Sequence, residues 1–199
     1  MAPPHEIAKE VMRHTREWRL AHEKSRSAPE QVVMQKWEPP EDGWTKLNAD
    51  SAVSGHNDKG GGDAVLRDHH RAYIVGACQL YPHISDPEAV QLLACRKAIQ
   101  MALERQIPRV HVELDSKAVV QMINQTTRNL SAVGPWIQEI KEMLNSFAEY
   151  KVSWVRFTRN KAAHKFARVG VGDEISRMLV DSPPDFVLDV ISDEIPNFV

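Results

Sequence analysis

Two short segments, sixty-odd residues apart, end alike: Thr45-Lys46-Leu47-Asn48-Ala49-Asp50-Ser51 and Val110-His111-Val112-Glu113-Leu114-Asp115-Ser116. Each runs through a strand pattern and stops on an aspartate followed by serine. A period of two puts alternate side chains on opposite faces of a sheet, so the pattern fixes which face each residue joins. Two strand-end carboxylates from separate strands can converge on a divalent cation.

The rest of the pattern narrows the choice. Trp44 to Val53 alternates, and Ala72 to Leu80 is a third apolar run after Asp63-Ala64-Val65-Leu66-Arg67. Gly60-Gly61-Gly62 reads as a turn and bulge opening that second run, because no helix follows it as a phosphate cradle would need. His69-His70 falls in the turn between the second and third runs, with no third ligand at a fixed spacing. After Pro87 the period changes to that of a helix, with Val90, Leu93, Ala94, Lys97, Ala98 and Met101 recurring up to Gln106 and Pro108 as the stop. A strand over Arg109–Leu114, a helix over 115–124, a helix over 133–150, a strand over Lys151–Phe157 and a helix over 160–171 follow. An antiparallel meander followed by crossover helices predicts an α/β fold with a mixed five-stranded sheet flanked by helices.

Three parts are expected along the chain. Residues 1–40 form a helical or partly disordered arm, with Ile7, Val11 and Trp18 on one stripe, closed by the linker Trp37-Glu38-Pro39-Pro40. Residues 41–172 form the main domain. Residues 173–199 form an acidic tail, expected to be helical and to pack on the domain through Phe186, Val187, Val190 and Ile191. The tail carries seven acids and one base, for a charge of -6, which leaves +4 on residues 1–172 although the whole chain is at -2. From Lys151 to Arg168 there are six bases and no acid. Such a patch can track phosphates or be a solvated helix face. Cys78 and Cys95 sit in apolar segments without ligand spacing and read as buried free thiols of a reducing compartment. No apolar run approaches the ~20 residues that span a bilayer, so a soluble intracellular protein of the nucleus or cytoplasm is expected, with no membrane partner.

The order of elements is that of the ribonuclease H fold. Residues 37–172 closely resemble the plant-type ribonuclease-H-like domain of retroelement polyproteins and stand-alone plant proteins. The segments WEPPEDGWTKLNADSA, GGGDAVLRD, LLACRKAIQMA, VHVELDSKAVVQMI and VRFTRNKAAHKFA carry the resemblance. A glycine usual after the first aspartate is Ser51 here.

The resemblance implies four carboxylates around two magnesium ions, or manganese in their place, at the positions of Asp50, Gln91, Asp115 and His164. Two of the four are not acids. Glu88 is the nearest acid to Gln91 but lies at the helix start, where it serves the helix dipole. Glutamine keeps the shape of glutamate without its charge and offers one weak carbonyl ligand. Imidazole binds some divalent metals, but magnesium prefers oxygen. Asp50 and Asp115 are therefore the expected metal ligands, with weakened affinity. Arg156, Arg159, Lys161 and Lys165 are the expected nucleic-acid contacts.

The reading that follows is a binder of RNA–DNA hybrid or duplex RNA whose magnesium-dependent cleavage of the RNA strand is weak or lost. Two alternatives stay open. A domesticated retroelement domain could serve as a protein-interaction module through its N-terminal arm or acidic tail. Glutamate-to-glutamine is also the isosteric change used to trap a nuclease on uncut substrate, in which case the natural protein is an active ribonuclease H.

Overall fold

A computed structural model of the chain describes residues 35–54, 58–174, 176–180 and 182–194. The expected stripe of Ile7, Val11 and Trp18 lies outside the described residues. The described residues form one compact unit. Its strands are β1 (Thr45–Ser54), β2 (Lys59–Asp68), β3 (Tyr73–Pro82), β4 (Arg109–Leu114), β5 (Glu149–Trp154) and β6 (Arg177–Val180). Its helices are α1 (Pro87–Glu104), α2 (Lys117–Asn124), α3 (Gly134–Leu144), α4 (Lys161–Gly172) and α5 (Asp185–Asp193). A 3-10 turn over Phe157–Arg159 leads into α4.

The sheet order is β5-β4-β1-β2-β3-β6. β1, β2 and β3 form the antiparallel meander, while β4 pairs parallel with both β1 and β5. The mixed sheet agrees with the sequence pattern, but it has six strands where five were expected. The sixth, β6, comes from the acidic tail and pairs antiparallel with β3. Four edge residues with exposed Met178 and Val180 show no burial alternation, so nothing in their spacing marks them as a strand. The helix expected over 133–150 ends at Leu144. The chain then turns into β5 at Glu149, where Ala148 N–H donates to Pro108 O at 2.9 Å.

Alternation in β1 sends Leu47 and Ala49 to one face, where they pack with Leu66, Val110, Val112 and the inner surfaces of α1, α2 and α3. Val65 and Cys78 face the other way, under Ala162, Ala163 and Phe166 of α4 and Val187 and Val190 of α5. Both cysteines are buried and free. The glycine triplet lies inside β2 instead of forming a turn and bulge, and the register shift in this pair falls at Leu66/Arg67. Helix contact explains it: a Cβ on Gly60 would lie 2.4 Å from Val90 Cγ2 and 2.6 Å from Ile84 O, and one on Gly62 would lie 3.0 Å from Ala94 Cβ. The glycines let α1 lie close against the sheet.

Helix α1 is capped by Asp86, which accepts from Ala89 N–H at 2.7 Å, and has Pro87 at its first turn. Ser116 caps α2 in the same way. The serine that follows Asp115 in the sequence thus ends a strand and starts a helix, which holds Asp115 at the junction.

Candidate active site

Parallel pairing of β1 with β4 runs from Thr45↔Val110 to Ala49↔Leu114. The next residues are Asp50, inside β1, which continues to Ser54 instead of ending on the aspartate, and Asp115, just past the end of β4, so the register brings the two together. Burial pushes the Asp50 carboxyl up to about 6, and the neighbouring Asp115 charge adds to the shift. Asp115 is also raised, first by burial. Two buried carboxyls, one of them held up further by the charge of the other, are an electrostatic setting that a cation relieves.

His164, one turn into α4, shares a 2.8 Å hydrogen bond between Nδ1 and Asp50 Oδ2, while Ser51 N–H donates to Asp50 Oδ1 at 2.7 Å. Gln91 reaches the same place from α1. It is 2% exposed, and its Nε2 donates to Ala49 O at 2.9 Å. Asn160 Nδ2 donates to that carbonyl at 3.0 Å. The four residues expected from the resemblance, Asp50, Gln91, Asp115 and His164, therefore gather in one place. Asn160 was missed as a member of the site, although it opens the Asn160-Lys161-Ala162-Ala163-His164 segment. Its Oδ1 is buried without a partner.

Asp50 and Asp115 are the oxygen donors here that could hold a divalent ion. They supply hard oxygens side by side, but the Gln91 amide nitrogen is committed to a backbone carbonyl and His164 to Asp50. Among the described residues no three His, Cys, Asp or Glu side chains are grouped to hold a metal.

A further acid escaped the sequence reading because it followed the supposed turn. Asp63 sits opposite Asp50 in the β1–β2 register, is 1% exposed, and has no partner for either carboxylate oxygen. Burial pushes it up to about 8, and Asp50 adds to the shift. It lies beneath Gly170 of α4, whose missing side chain leaves it room.

The cationic patch is partly neutralised from within. Arg159 pairs with Glu38 and donates to Lys36 O at 3.1 Å, Lys165 pairs with Asp189 of α5, and Lys151 pairs with Glu41 at 2.7 Å. Arg156 is exposed, and Lys161 starts α4 half-buried. The expected linker is also more than a spacer. Trp37, 2% exposed, lies over the Arg67 guanidinium at 3.6 Å and donates to Asn48 Oδ1 at 2.8 Å. Asn48 donates to Glu113, which pairs with Lys46 at 2.7 Å. His69-His70 is a turn, with His69 2.9 Å from Asp42, and His111 contacts Ser153 at 2.7 Å, so neither enters the site.

The family model described as reverse transcriptase-like matches residues 48–170. Over 84 residues the chain is 33% identical to the "Putative ribonuclease H protein" of Arabidopsis thaliana, a match that covers 42% of this chain and only 13% of that relative. Among solved structures, the N-terminal RNase H domain of Mycobacterium tuberculosis Rv2228c, fused to maltose-binding protein, is similar with a TM-score of 0.59 at 16% identity. It covers 65% of this chain and 94% of that one. LC11-RNase H1 in complex with RNA/DNA hybrid is similar with a TM-score of 0.58 at 11% identity, over 65% of this chain and 98% of that one. The chain belongs to the reverse transcriptase-like family, as a ribonuclease H-like domain.

Proposed function

We propose that the chain binds RNA–DNA hybrid or duplex RNA and that its hydrolysis of the RNA strand is weak or lost. The observation that carries this is the closeness of Asp50 and Asp115, just past the paired stretch of β1 and β4, beside a neutral Gln91 and an imidazole at His164. The hybrid bound in the similar LC11-RNase H1 structure supports the substrate class. Asp50 and Asp115 would hold one magnesium or manganese ion, which when bound supplies Lewis-acid stabilisation of a phosphoryl oxygen. His164 orients the Asp50 carboxylate through Nδ1. Gln91 and Asn160 fix the Ala49 carbonyl and with it the end of β1. Exposed Arg156 is the cation best placed to meet a phosphate, since Arg159 and Lys165 would have to leave Glu38 and Asp189.

The test is a gel-shift with RNA–DNA hybrid run beside cleavage assays in magnesium and in manganese. Binding that weakens steeply with salt, with little or no cleavage, is the expected result. Full cleavage in magnesium would show that Gln91 and His164 do not disable the site. The internal pairing of Lys151, Arg159 and Lys165 favours a second reading, a protein-interaction module. Salt-insensitive capture of a protein partner with no hybrid affinity would establish it instead.

A further inference from the structure

Among the described residues the exposed aromatics are Tyr150, Trp154 and Phe157. Two of them flank the candidate site. Trp154 ends β5 and is 39% exposed, and Phe157 opens the 3-10 turn and is 48% exposed. Buried Val155 anchors the segment between them, with its N–H on Leu114 O at 2.9 Å.

Each ring is tied to a residue of the site. Trp154 Nε1–H donates to the backbone carbonyl of Asp115 at 3.0 Å, and the Lys117 ammonium sits 4.4 Å from its ring centroid. Phe157 meets the His164 ring edge-on, with centroids 4.7 Å apart at 83°. An exposed indole fixed in this way has already lost much of its rotational freedom, so a partner that stacks on it does not have to order it.

The chemistry beside these rings selects the partner. Lys117 lies over Trp154, and exposed Arg156 lies between the two aromatics in the chain. Exposed aromatic surface with cations close by matches a nucleotide, whose base stacks on a ring surface left open while its phosphate meets the charge. A base inside a duplex is already stacked on its neighbours and cannot use such faces. We infer that Trp154 and Phe157 form a stacking shelf for an unpaired nucleobase, so that the site prefers a hybrid whose RNA strand continues as a single strand. This rests on the nucleic-acid reading of the same site and adds a specificity to it.

Fluorescence anisotropy would compare three probes: a blunt RNA–DNA hybrid, the same hybrid with a single-stranded RNA extension at either end, and the single-stranded RNA alone. The expected result is affinity about 10-fold higher for one extended hybrid than for the blunt one. In Phe157→Ala and Trp154→Ala that ratio collapses toward one, while Trp154→Phe keeps most of it and the salt slope of the extended probe is unchanged. Circular dichroism and urea melts confirm that each variant is folded, and exposed Phe157 provides a variant with little bearing on the fold. No preference for either extension in the wild type, or a ratio untouched by both alanine variants, overturns the shelf. Binding of extended or single-stranded RNA without blunt hybrid would keep the shelf and overturn the duplex reading. Binding of none of the three overturns both.

Discussion

At the scale of single residues, Gln91 and Asp63 carry the sharpest consequences. The Gln91 amide is a matched donor to Ala49 O. Gln91→Glu would turn an ionised oxygen toward that carbonyl, close to two other carboxylates. Without metal this should cost about 1–3 kcal/mol of stability, and added magnesium should recover part of it, as thermal melts with and without the ion would show. Hybrid cleavage should rise by about 100-fold or more in the same variant. Inert protein, even with His164→Asp added, would mean that the domain has lost more than its ligands. Asp63 gives a pH signature. The folded chain keeps its proton up to about pH 8, whereas the ordinary carboxyl value is 3.8. The unfolded state therefore binds fewer protons at this group in that window, so the contribution of Asp63 to stability is fully present below about pH 4 and is lost as pH rises toward 8. Asp63→Asn should raise stability at pH 8 by about 2–4 kcal/mol and much less at pH 4, as read by urea unfolding at both values. An unchanged pH slope in the variant would exclude Asp63 as its source.

At the scale of elements, the approach of α1 to β2 decides whether Gln91 can reach β1 at all. The helix lies close because Gly60 and Gly62 present no side chain to it. Gly60→Ala would push its Cβ against Val90 and against the Ile84 carbonyl, a backbone atom that cannot swing aside. The variant should lose about 1–3 kcal/mol in urea unfolding, with a disturbed Gln91–Ala49 contact as its local cause. The same contact explains why the triplet was misread. Glycines in a row look like a turn when only neighbouring residues are considered, whereas here the element they accommodate begins 25 residues later. Helix α3 shows the opposite error. Its apolar spacing continues past Leu144, but a backbone bond from Ala148 to Pro108 draws the chain into β5.

At the scale of the whole molecule, the segments on either side of the domain close over one sheet face. Trp37 covers Arg67, and Arg67 pairs with Glu194 from the end of α5. Helix α5 adds Val187 and Val190 to the core, with Phe186 edge-on to Phe166 at 5.0 Å. Glu194→Ala would leave the Arg67 guanidinium buried without its counter-charge and should cost about 3–5 kcal/mol in urea unfolding. Deleting residues 173–199 should destabilise further, and hybrid affinity should not rise once the folded fraction is counted. A stable truncated domain with tighter binding would instead make the tail a competitor for the cationic face. The sequence by itself determined the meander, α1 and β4 and offered Asp50 and Asp115 as carboxylates able to converge, while the positions of Gln91 and His164 beside them came from the resemblance. Alternation, helical period and caps act between near neighbours, and the resemblance supplied the last correspondence. Only the tertiary structure decided that β6 completes the sheet, that Asp63 is buried opposite Asp50, that Gln91 is spent on the Ala49 carbonyl, and that Arg67 finds its partner 127 positions away. A local pattern reports which side chains want burial, but the partner that satisfies a buried charge is chosen by which distant segments the packed sheet brings within reach.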